Sequence, residues 1–590
     1  MTFAPSVFSA RKIFASLLVL SLSAFPLFAQ TSAKPDSKKA AASSKNKTAT
    51  AVPLAPKLDP NAVDWATIGR IRYEAFRNSK VMVILSDLTD RIGPRLTNSP
   101  NMRKASAWTR DELTKYGLEN SHLEAWGPFG RGWSYEVSNV RLISPDKAEL
   151  LALPKAWTPG TNGPVRGKVM RFKAANKEEL EKYRGKIAGA ILLGGDMREI
   201  KASVEPKSER YDEKSLAALS EYTIPAASAA PANAPGERQR RAAFQRELLK
   251  FLEEEKALAL LEPSRAPGDG GTVFVQGGGS YKKGESVGIP NLVMAIEHYG
   301  RISRLLDKKV DVEVEVNVKT SFHDDDEFAY NTIAEIPGTD LKDQVVMLGA
   351  HLDSWHGGTG ATDNAAGSAV AMEVVRILKS IGVKPRRTIR IALWSGEEQG
   401  LMGSRAYVSE HLASRPENTD PQYKDTLPFL RPPAGPLQFK PEWDKVSVYF
   451  NIDNGTGKLR GLWLQENAMV IPIFKQWMEP FADLGMNTLT MRNTGGSDFL
   501  SFDGVGVPGF GFLQDEIEYD TRTHHSNMDT YERIQREDMM QAAAIEAAFV
   551  YQAAMRDEMM PRKPIPPDPP RRADAPASTT PPAATTPPAR

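Results

Sequence analysis

Hydrophobic positions between residues 61 and 562 fall into two textures. In the first, continuous apolar runs at 345–348, 389–394 and 446–452 suit strands buried on both faces. Between the first two runs, Val370, Val374, Ile377, Leu378 and Ile381 recur on one helical face until Gly382 ends the helix. Ser99 caps another helix that opens on Pro100. Met102, Ala105, Trp108, Leu113 and Tyr116 follow at near-helical spacing up to Gly117. Strands that alternate with helices predict an α/β fold, a mostly parallel sheet sandwiched by helices.

The second texture occupies residues 140–325. Val310, Val312, Val314, Val316 and Val318 alternate with polar residues, as in a strand with one wet face, so this unit is partly antiparallel. Residues 188–193 form a short apolar strand, 200–240 a charged loop or insertion, and 238–261 an amphipathic helix with an apolar end. Because the first texture lies on both sides, the expected plan is a domain of residues 61–139 and 326–562 interrupted by a β-rich α/β insert at 140–325.

The chain ends differ again. Arg11 and Lys12, an apolar stretch at 13–28 and Ala29 have the form of a signal peptide over 1–29, which implies a secreted or periplasmic protein. Residues 30–60 and the Pro-rich 563–590 bury too little apolar surface to order themselves and read as a linker and a tail. No further run is long enough for a membrane span after cleavage of the signal.

Composition narrows the chemistry. A net charge of +2 over 590 residues argues against a nucleic-acid partner, and the absence of cysteine removes thiolate nucleophiles and cysteine-held metals. Any metal must be bound by His, Asp and Glu, and there are only eight histidines to place. Ligands in such sheets gather where strands end. His351 and Asp353 follow the first run, Glu397 and Glu398 the second, and Asp453 the third. Asp363 closes the Gly-rich loop 357–363, and His524 and His525 stand together near the end of the folded chain.

A lone acid after a strand is commonly a helix cap. The pair Glu397-Glu398 is different, since adjacent carboxylates raise each other's pKa unless a cation compensates. The set suits two metal ions. Asp363 would bridge, His351 and Asp453 would hold one ion, and Glu398 and His525 the other. Asp353 would accept the other ring N–H of His351, leaving Glu397 as general base and then acid. His356 is a candidate substrate contact and His524 a candidate oxyanion donor. Ser497 and Asp498 are expected to cap a helix and border the pocket. His122, His298, His323 and His411, and the acidic run 324–327, read as packing or solvated positions.

Five segments together resemble zinc metallopeptidase family 28, the aminopeptidase and glutamate carboxypeptidase group. They are residues 349–355 (GAHLDSW), 362–364 (TDN), 393–400 (LWSGEEQG), Asp453, and His524-His525-Ser526 with Asp529-Thr530. The resemblance extends to 93–96 and 506–509, and spans roughly 61–560. It implies that His351, Asp363, Glu398, Asp453 and His525 bind two Zn2+, that Glu397 is the catalytic carboxylate, and that 140–325 is a protease-associated domain. Residues 200–240 depart from the family pattern. The implied activity is that of an exported dizinc exopeptidase acting on peptides or dipeptides. A single-zinc acyltransferase of the glutaminyl-cyclase kind and a non-catalytic receptor-like protein are the alternatives. The preferred peptide end and the oligomeric state are open at this point.

Overall fold

The computed structural model describes residues 62–202, 204–222, 235–423, 431 and 434–565. The signal peptide, the linker and nearly all of the Pro-rich tail lie outside the described residues. Among the described residues no helix is long and apolar enough to cross a membrane.

The sheet that carries the apolar runs has eight strands. They are β1 (Glu119–Trp126), β2 (Ala329–Ile336), β3 (Val345–His351), β4 (Thr388–Trp394), β5 (Val446–Asn451), β6 (Leu459–Trp463), β7 (Thr488–Thr490) and β8 (Gly509–Gln514). Their spatial order is β1-β2-β4-β3-β5-β8-β6-β7. The central four, β4, β3, β5 and β8, are mutually parallel, while β1 and β2 and the β8–β6 pairing are antiparallel. The longest helices of this part of the fold are α1 (Trp65–Arg77), α2 (Pro100–Lys115), α3 (Ala366–Ser380), α4 (Met402–His411) and α5 (Arg536–Met555). The fold is α/β as the apolar runs predict.

Two helices form the heart of the core. Every residue of α3 from Ala366 to Val375 is buried, and Gly367 lets the helix start approach the chain after β5, since a Cβ there would stand 2.4 Å from the Ile452 carbonyl oxygen. Helix α5 is buried nearly all round. Its alanines at 542, 543, 544, 547 and 548 allow close contact, and Phe549 packs against Phe450, Phe474, Trp477 and Phe512 with ring centroids at 6.0, 5.4, 5.5 and 5.8 Å.

A second eight-stranded sheet draws all its strands from residues 132–323. Glu313–His323 pairs antiparallel with Gly132–Ser144, and Val314, Val316 and Val318 point into a separate apolar core. Here two local expectations fail. The helix expected over 238–261 spans Pro235–Glu254, and Ala259–Pro263 is a strand paired in parallel with Ile191–Gly194. Lys256 takes a left-handed φ of 55° that breaks the helix, and the short apolar run that follows is equally consistent with a buried strand. Residues 200–240 are not simply a loop: Asp212 caps a helix at Glu213–Ser220 by accepting from the Ser215 N–H at 2.7 Å. Before it, Arg210 donates to Asp515 at 3.0 Å and Asp538 at 2.6 Å, which ties the segment to the first sheet.

Two stability predictions follow. Glu546 of α5 is fully buried with neither oxygen hydrogen-bonded, and burial pushes its carboxyl well above the ordinary range. An unmatched buried polar group costs about 1–3 kcal/mol. Glu546→Met is therefore expected to raise Tm by roughly 2 °C or more in differential scanning calorimetry at neutral pH. The second concerns His411, whose ring donates to Glu124 at 3.1 Å. Hydrogen bonds to Glu124 and Glu442 raise its pKa to about 9 against opposing burial. The pair's contribution is complete below the unfolded value of 6.5 and is lost as pH rises through about 9. The Tm deficit of His411→Gln is expected to be largest at pH 6 and to vanish above pH 9.5.

Candidate metal centre

In-register pairing sets the site. His351 is paired with Trp394 across β3 and β4, and Gly349 with Asn451 across β3 and β5, so all three strands finish at one edge. His351, the Glu397-Glu398 turn and Asp453 therefore emerge side by side. The loop from β3 into α3 brings in Asp363, and the segment after β8 brings in His525.

These side chains converge. Nε2 of His351 lies 3.0 Å from Asp453 Oδ1 and 3.3 Å from Asp363 Oδ1. Nε2 of His525 lies 2.9 Å from Glu398 Oε2 and 3.2 Å from the other Asp363 oxygen, Oδ2. One carboxylate thus faces two imidazoles with its two oxygens. His351 and Asp363 are 1% and 4% exposed.

Neighbouring groups hold this geometry. Asp529 accepts from the backbone N–H of Thr362 at 2.5 Å and of Asp363 at 3.2 Å. Arg95, fully buried, donates to the carbonyl oxygens of Leu352 at 2.7 Å, Thr359 at 2.8 Å and Gly360 at 2.8 Å, pinning the loop that leads to Asp363. Gly360 has φ 64°, and a Cβ there would come within 2.9 Å of the Arg95 guanidinium. Burial lowers the Arg95 pKa to about 10, opposed by the charges of Asp529 and Asp353, so it stays cationic at neutral pH.

One expected contact takes another form. Nδ1 of His351 is 3.0 Å from the backbone carbonyl oxygen of Asp353, whereas the Asp353 carboxylate is 3.6 Å away. That carboxylate instead accepts from the Thr97 hydroxyl at 2.9 Å and, at longer range, from the backbone N–H groups of Glu397 (3.3 Å) and Glu398 (3.4 Å). Spacing in the sequence places Asp353 beside His351 without telling carbonyl from carboxylate.

The other candidates divide. His356 is buried, donates from Nε2 to the Pro154 carbonyl oxygen at 2.7 Å and packs edge-on against Trp133. Burial lowers its pKa to about 4, so it stands as a neutral packing group facing the second sheet. His524 stacks on Tyr519 with centroids at 4.7 Å, lies 3.9 Å from Asp363 and is kept neutral by burial, with a pKa of about 4. Asp498 precedes the short helix Phe499–Asp503 without capping it through its side chain, and its buried oxygens have no hydrogen bond of normal geometry. Burial raises it to about 7, opposed by His351. His411 pairs with Glu124, His323 bonds Ser134, and Nδ1 of His298 accepts from the Leu151 N–H, all outside this cluster.

The electrostatics call for a cation. Burial would raise the Asp363 carboxyl, yet hydrogen bonds to His351 and His525 hold it well below the usual range. Burial and Asp363 raise Glu398 to about 7, burial pushes Asp453 up, and burial pushes Glu397 well above the ordinary carboxylate value despite His351. Oδ2 of Asp363 and Oε1 of Glu398 are buried without a hydrogen bond of normal geometry. Buried carboxylate oxygens without such a bond, beside two imidazoles, fit a set of ligands for zinc. Asp363 with His351 and Asp453, and Asp363 with His524 and His525, bring their donor atoms within 4.8 Å of one another.

The pattern of Peptidase family M28 matches residues 331–550. Carboxypeptidase Q from Mus musculus is 27% identical over 482 residues, covering 80% of this chain and 86% of the relative. Carboxypeptidase Q from Homo sapiens is 25% identical over 480 residues, covering 81% and 86%. The solved structure of a peptidase M28 precursor from Shewanella amazonensis superposes with a TM-score of 0.57 at 22% identity, over 85% of this chain and 98% of that one.

A cluster of this kind predicts strong stabilisation by metal. Binding to the folded state alone contributes about 4 kcal/mol when free zinc is near 1,000 times Kd. Chelation is expected to lower Tm by several degrees and added Zn2+ to restore it, while the Tm of Asp363→Ala stays insensitive to zinc in the same thermal scan.

Proposed function

The chain belongs to peptidase family M28 and is a zinc metallopeptidase, and from that premise we propose that it is an exported dizinc exopeptidase acting on peptides or dipeptides. The observation that carries this reading is the placing of the two Asp363 oxygens, one at each histidine. In it Asp363 would be shared by two zinc ions, with His351 and Asp453 as the further ligands on one side and Glu398 and His525 on the other. Zinc held there would supply Lewis acidity toward a scissile carbonyl and an attacking water.

The protein's own groups do the rest. Glu397 follows directly on the β4 turn, with its backbone N–H held by Asp353. It takes a proton from water and returns it to the leaving amine. The buried Arg95 and Asp529 fix the loop so that Asp363 does not swing away from its two histidines.

Exopeptidase action is supported by relatives named carboxypeptidase Q and, over 216 residues at 27% identity, aminopeptidase YwaD of Bacillus subtilis. Export rests on the basic and apolar pattern of residues 1–29. A second sheet built only from residues 132–323 supports reading 140–325 as a protease-associated insert.

Glu397→Gln is expected to keep two zinc ions per chain and to lose hydrolysis by about 10²–10⁴-fold, read by metal analysis and by digestion of a peptide library with mass-spectrometric detection. Substantial activity in that variant contradicts the role of Glu397. One zinc per wild-type chain points instead to single-metal acyl transfer, and binding without cleavage to a receptor-like protein. The library also shows which peptide end is removed.

A further inference from the structure

His525 is the one member of the cluster whose backbone is held from the second sheet's part of the chain. Residues 272–278, between Ala259–Pro263 and Asn291–Met294, run alongside residues 525–527. The Val275 N–H donates to the His525 carbonyl at 3.0 Å, the Asn527 N–H to Val273 at 3.1 Å, and the Asn527 side-chain oxygen accepts from the Val273 N–H at 2.7 Å. His525 itself has φ 58°, a left-handed conformation that costs a non-glycine residue about 1 kcal/mol or more and persists only where its surroundings impose it. This short ladder imposes it.

From the same segment Gln276 reaches the imidazole. Its amide Nε2 is 2.8 Å from Nδ1 of His525, while Nε2 of that ring faces Glu398 and Asp363. A half-turn of the terminal amide puts Oε1 in the same place. An imidazole that gives its Nε2 lone pair to a metal carries its proton on Nδ1, and a partner for that proton fixes tautomer and ring orientation. The backbone carbonyl of Gln276 accepts from the Ala156 N–H at 3.0 Å, so the amide is presented from an anchored segment.

We propose that Gln276 is a positioning residue for His525: its amide oxygen accepts the Nδ1 proton, so that the second sheet's part of the chain completes the metal site on the Glu398 side. The inference rests on the reading of His525 as a zinc ligand and adds the group that orients it. Gln276 is exposed, so water replaces it in part, and the expected effect is at the low end of the 10–100-fold range for such partners.

The experiment is a zinc titration against a competing chelator on the full chain, with native mass spectrometry counting bound ions. It uses wild type, Gln276→Leu, Gln276→Glu and His525→Ala. Gln276→Leu is expected to weaken one of the two zinc ions about tenfold and leave the other unchanged. Gln276→Glu, which still offers an oxygen to Nδ1, is expected to restore the affinity. Wild-type affinity for both ions in Gln276→Leu overturns the proposal, and so does a Gln276→Glu variant as weak as Gln276→Leu. A wild type that binds one zinc, or a His525→Ala variant that still binds two like wild type, overturns instead the ligand assignment beneath it.

Discussion

Everything at the ends of the central strands depends on the charge balance around Asp363. Its carboxylate is buried with Glu397, Glu398, Asp453 and Asp498 close by, and burial pushes all four of these neighbours upward in pKa. Two imidazoles cannot by themselves neutralise that density of acid. The arrangement is stable in a folded protein only if protons or metal ions share the space, and several of its buried carboxylate oxygens lack a hydrogen bond of normal geometry. Proposed zinc binding is therefore a solution to an electrostatic problem that the fold itself creates.

The fold creates it by register. Parallel pairing brings His351, the Glu397-Glu398 turn and Asp453 to one edge, and the largely buried α3 and α5 hold that edge from behind. Around it, fixed backbone matters as much as side chains. Arg95 ties down the carbonyl groups of Leu352, Thr359 and Gly360, Asp529 holds two N–H groups, and the ladder from residues 273–275 holds His525 in its left-handed conformation. These contacts join segments more than 160 residues apart, so the site forms only when both sheets have folded.

That separation explains what the sequence made legible. Apolar runs expose the buried parallel strands, and acids or histidines directly after them stand out because a strand end is where such sheets place ligands. Asp363 and His525 were accessible from loop composition and from the motif resemblance. The strand at Ala259–Pro263 was hidden because a five-residue apolar run has no period to distinguish it from a helix end. Asp529 left only the trace of the Asp529-Thr530 pair, and Arg95 only that of its short motif. Gln276 left none: a single glutamine in a Gly-rich stretch acquires meaning only from a partner 249 residues away. Asp353 was found by position, but the division of labour between its carbonyl and its carboxylate is a matter of loop geometry.

The most direct test of the account is diffraction from zinc-loaded crystals at the zinc absorption edge. Two anomalous peaks about 3.5–4 Å apart, one beside His351 and Asp453, the other beside Glu398 and His525, with Asp363 between them, are the predicted result. A single peak, or a pair of peaks that does not share Asp363, contradicts it.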